Sequence, residues 1–117
     1  MKEFENWLIV NAKQCKSAAA GMHADCREDE AVFAKIKCNV YELFFSVFQA
    51  FQKHASSPEE AGQLFERKLQ EIPNQWVNAH KNAIDHHDSE KAYLEQLKLD
   101  TAEKIRSAYY HFREEHL

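Results

Sequence analysis

Only two glycines and two prolines occur in this chain of 117 residues. An all-β fold needs a turn about every 8–12 residues, with Gly and Pro to make it, so sandwiches and barrels are excluded. The same scarcity removes Gly-rich phosphate loops. With Gly21 and Gly62 alone, neither G-x-G nor G-x-x-x-x-G-K can be spelled. What remains is a helical chain. Its apolar fraction of 44% and charged fraction of 29% are those of a folded domain. One domain over residues 1–117 is expected, large enough for a core without disulfide or metal staples.

Apolar residues recurring every three to four positions divide the chain into four helical segments. The first is expected over Lys2–Gly21, with Phe4, Trp7, Leu8, Asn11, Cys15, Ala18 and Met22 on one stripe and Gly21 as its left-handed stop. The second runs from Asp29 to His54, capped by Asp25 or Asp29. Its main stripe is Phe33, Ile36, Val40, Leu43, Val47 and Ala50, flanked by Tyr41, Phe44, Phe48 and Phe51. The third opens on Ser57-Pro58-Glu59-Glu60, a capping-box sequence with Pro at the first helical position. It extends over 58–87, kinked or broken at Pro73. The fourth is expected from Asp88 to Glu115, capped by Asp88 or Ser89, with Leu94, Leu97, Thr101, Ile105, Ala108 and Phe112 inward. Without a break near residue 88, helices three and four would merge into a rod of about 60 Å that demands a partner. The fold class is all-α, an antiparallel up-down-up-down four-helix bundle.

Charge and cysteine usage narrow the setting. Lys plus Arg number 15 against 19 Asp plus Glu, a net charge of −4. Acids interleave with bases, which is not the basic footprint of a nucleic-acid binder. Seven histidines, if all protonated, would turn that charge to +3 as pH falls. Cys15, Cys26 and Cys38 are odd in number, lack a C-x-x-C, and read as reduced thiols. Of these, Cys15 falls on the inward stripe and Cys38 does not. No signal peptide or run of about 20 apolar residues is present, so a cytoplasmic protein without a membrane partner is expected.

A di-iron bundle needs Glu-x-x-His pairs, and none of the seven histidines has Glu three positions earlier. His80 and His87 lie roughly 10.5 Å apart along a helix, too far for one ion. His86, Glu90 and His87 are the remaining metal-ligating candidates, and His86 and Glu90 share a face only on an unbroken helix. No cofactor is implied. Arg106-Ser107-Ala108-Tyr109-Tyr110-His111 reads R-x4-H on the last helix. This is similar to the motif of the HEPN superfamily of metal-independent ribonucleases. The resemblance covers six residues and implies that Arg106 stabilises phosphate while His111 acts in acid–base attack by the ribose 2′-hydroxyl, across a homodimer.

Helix two carries more apolar side chains than one bundle core takes from a helix. The surplus points to self-association, with Phe45, Phe48 and Tyr41 at the interface. The reading that joins these features is a non-catalytic interaction or regulatory module that forms a homodimer or docks a protein. The alternative is a HEPN-like ribonuclease using Arg106 and His111, the one case with an RNA partner. A ligand- or metal-binding bundle is the third.

Overall fold

A computed structural model describes residues 1–115; His116 and Leu117, the end of the expected domain, lie outside the described residues. It contains α1 (Lys2–Ala24), α2 (Glu28–His54), α3 (Pro58–Asp85) and α4 (Ser89–Glu115). No strand occurs among the described residues. The four helices form an antiparallel bundle, as the periodicity requires.

Two of the three connections are built the same way. The Arg27 amide donates to the Met22 carbonyl at 2.8 Å and the Cys26 amide to His23 at 3.1 Å. At the second, the Asp88 amide donates to Ala83 at 2.8 Å and the His87 amide to Ile84 at 3.0 Å. Both are Schellman motifs, which need a left-handed residue just past the helix. Cys26 (φ 60°) and His87 (φ 57°) take that conformation, although neither is glycine. Gly21 therefore does not stop α1: the helix passes through it to Ala24, and the left-handed turn falls at Cys26. Asp25 closes α1 instead of capping α2. Asp29 lies inside the first turn of α2, whose N-cap is Arg27, with no side-chain cap bond.

The other helix starts follow their local chemistry. Ser57 Oγ accepts the Glu60 amide at 3.1 Å. Glu60 reaches back to the Ser56 amide at 2.8 Å, one residue earlier than the ideal box. Asp88 Oδ1 accepts the Lys91 amide at 3.1 Å and starts α4. The break near residue 88 is thus real, and the long-rod alternative falls. α3 is not broken at Pro73. The hollow beside that proline is lined by polar Gln70, Asn74, Gln96 and Asp100, a setting in which a helix tolerates one missing backbone bond.

α1 packs on α2 and α3 on α4, and α2 also meets both α3 and α4. The backbones of α1 and α3 do not approach each other, and rings bridge that diagonal: the centroids of Phe4 and Phe65 are 5.6 Å apart. The Phe4 ring also meets Phe48 at 5.2 Å and Tyr109 at 5.3 Å, both edge-on. The Cα radius of gyration is 15.6 Å. A compact chain of this length would have about 13 Å. The extents of 44 × 35 × 23 Å place the excess in the second dimension. A cleft opens between α2 and the α3–α4 pair.

The core rotates α2 away from the expected register. Tyr41, Phe44 and Phe48, read as a flanking stripe, are buried together with Cys38 and Val40. On the supposed main stripe Leu43 and Ala50 are exposed, and Phe33, Ile36 and Val47 are half-buried. The thiols exchange roles accordingly: Cys38 is buried and Cys15 half-buried. On α1, Ala19 rather than Ala18 is buried, and on α4 Tyr109 joins the core.

Candidate functional site: a cleft between helices two and three

The outer stripe of α2 borders a cleft of about 250 Å³ lined by Ile36, Asn39, Val40, Leu43, Trp76 and Lys98. Three helices build it. α2 supplies the aliphatic wall because its aromatic face is taken by the core. α3 supplies Trp76, whose ring meets that of Phe44 at 6.4 Å. α4 supplies Lys98, whose ammonium lies 5.9 Å from the centre of the Trp76 ring, a cation–π contact. Lys98 Nζ also lies 3.1 Å from Glu95 Oε1.

Glu95 is the odd residue of this region. It is buried, yet its Oε2 has no hydrogen-bond partner among the described residues. A buried carboxylate held by one cation and missing a donor opposes stability. The cleft offers apolar area, an indole face and one paired cation.

The residues singled out from the sequence are dispersed. Phe48 and Tyr41 are 2% and 5% exposed, buried inside this chain and closed to a partner. Phe45 is half-buried and packs against the same core. The rotation of α2 draws Tyr41 and Phe48 inward and leaves Phe45 partly exposed. Arg106 and His111 lie exposed on α4 and border one shallow depression with Ser107 and Tyr110. Arg106 faces Glu103 at 3.8 Å and its guanidinium lies 6.0 Å from the centre of the Tyr110 ring. His111 Nε2 is 3.2 Å from Glu115 Oε1. Each has a carboxylate within one turn, and the two point about 140° apart around the helix.

His86 and Glu90 are separated by the turn at His87, so the unbroken face they require does not form. His86 Nδ1 instead lies 2.7 Å from the Asn82 carbonyl. Among the described residues no group of three or more His, Cys, Asp or Glu side chains converges as a metal site would require. No described helix is long and apolar enough to cross a membrane.

Sequence reasoning missed the cleft. Periodicity alone turns Leu43 inward and does not mark Trp76, Glu95 or Lys98 as neighbours of it. The available signal was the spacing of Ile36, Leu43 and Ala50 against Phe33, Val40 and Val47, a seven-residue repeat inside α2. Comparison with protein-family models, with curated proteins and with solved structures finds no match.

Proposed function

We propose that this chain is a non-catalytic helical interaction module whose partner is a second copy of itself, joined through the outer stripe of α2. The observation that carries the reading is Leu43. It is 39% exposed in the middle of a stripe that includes Val32, Ile36, Val47 and Ala50, beside the Trp76 cleft. Ile36 and Leu43 lie seven residues apart on this stripe and Val47 lies one turn beyond Leu43, an aliphatic spacing that suits pairing of two helices. Lys35, Asn39, Glu42 and Ser46 flank it with both charge signs. A two-fold axis therefore sets no wall of like charge against itself. A single-sign flank would favour an oppositely charged stranger instead.

The test is light scattering on a size-exclusion column over a wide concentration range. A dimer that dissociates on dilution is expected, and Ile36→Asp or Leu43→Asp should leave a helical monomer. Wild-type protein that stays monomeric at every concentration overturns the reading. Arg106→Ala and His111→Ala distinguish the ribonuclease alternative: they abolish RNA cleavage there and leave association unchanged under the module reading.

A further inference from the structure

On the α1–α2 hairpin, Cys38 of α2 faces the turn of α1 that precedes Cys15. The Cys38 sulfur lies 3.6 Å from the Ala12 carbonyl oxygen and 3.4 Å from Glu42 Oε1. A helical carbonyl points along the axis toward the next turn, and the turn after Ala12 carries Cys15. Cys15 packs against the core cluster. It shares a hollow with Ala34 and Lys37, and Ala34 is one turn before Cys38 on α2. Burial first, then the Glu42 carboxylate and to a smaller extent Cys15, push the Cys38 thiol up. Cys26 is exposed at the turn between the helices.

We propose that Cys15 and Cys38 form a reversible disulfide, a covalent link between α1 and α2 installed in the folded chain by glutathione disulfide. Cys15, as its thiolate, attacks one sulfur of glutathione disulfide, forming a mixed disulfide and releasing one glutathione thiolate. Cys38 loses its proton to water beside the Glu42 carboxylate that its S–H faces. It then attacks the Cys15 sulfur and releases the second glutathione. Two protein thiols are oxidised, one disulfide is reduced to two thiols, and the two protons end on glutathione. Burial raises both thiols above the ordinary 9.0. Exchange is consequently slow, and the pair responds to sustained oxidation rather than to brief pulses.

The test compares pairings formed in the native and in the unfolded chain. Shorter loops close more readily in an unfolded chain, so in urea Cys15–Cys26 and Cys26–Cys38 should dominate. In native buffer with glutathione disulfide, peptide mapping should find Cys15–Cys38 as the major product, reversed by dithiothreitol. In a Cys26→Ser chain, both remaining thiols should become unreactive to alkylation and the thermal midpoint should rise. Adding Cys15→Ser to that chain should leave Cys38 as a free thiol. A native product dominated by Cys26 pairings or by links between chains overturns the proposal. So does a Cys26→Ser chain that keeps two free thiols, or a glutathione adduct on Cys15 that never resolves. None of these readouts depends on self-association.

Discussion

On its inner side α2 buries Tyr41, Phe44 and Phe48 almost completely, while on its outer side Val32 and Leu43 keep 47% and 39% of their surface. Both sides are apolar and both repeat at helical spacing. The difference is area and partners. A buried aromatic ring takes about 150–250 Å² out of water, worth about 25 cal/mol per Å². The other helices also offer rings rather than methyl groups: Phe4, Phe65 and Tyr109 meet one another and the α2 face. Edge-to-face contacts add about 0.5–1.5 kcal/mol for each pair. The aliphatic stripe loses that competition and is left outside. Two stripes on one helix thus answer to different partners: one is satisfied within the chain, and the other is the proposed contact with a second copy.

The comparison breaks first at Phe44, which has no exposed surface. Phe44→Ala should cost about 3–5 kcal/mol in urea titrations, because the cavity opens against the rings of Phe65 and Trp76 on α3. A loss below about 1 kcal/mol would mean that the inner side is not what holds α2. High pH probes the same face through Tyr109. Burial, with the Glu66 carboxylate adding to it, pushes its hydroxyl up to about 12 from the ordinary 10.0. A raised folded value means that the stabilisation is complete below pH 10 and is lost as pH rises toward 12. Stability should fall by roughly 2–3 kcal/mol across that window, and Tyr109→Phe should flatten that part of the curve.

Three smaller effects sharpen the contrast. Glu95→Met removes the orphaned carboxylate oxygen and should raise stability by about 1 kcal/mol in thermal melts. Cys26→Gly and His87→Gly should each add about 0.5–1 kcal/mol, since glycine takes the left-handed conformation without strain. On the outer side, Leu43→Ser should change monomer stability by less than about 0.5 kcal/mol while weakening the dimer. Phe45→Ser, by contrast, should lower stability as well as any association, because Phe45 packs against the core. If Leu43→Ser unfolded the chain, the outer stripe would belong to the core after all.

Much of the fold was legible because it is written locally. The Ser57 cap, the Asp88 cap and the four periodic segments each depend on residues within a turn of one another. The end of α1 was not legible. Gly21 has the intrinsic freedom to stop a helix, but the bonds from Cys26 and Arg27 back to His23 and Met22 close the helix three residues later, at Ala24. The candidate site was less legible still. Leu43 and Trp76 are 33 residues apart, and Lys98 lies on a third helix, so nothing in any one segment marks them as neighbours.

The sequence by itself determined that this chain is helical, where two of its three turns fall, and that α2 has two apolar stripes. The tertiary structure decided which stripe faces in, which thiol is buried, and where a cleft opens. The physical reason is that periodicity sets the angles of side chains relative to one another around a helix, and leaves its rotation about its own axis free. That rotation is set by the volumes of the other three helices, and here the rings of Phe4, Phe65 and Tyr109 turn the aromatic side of α2 toward them.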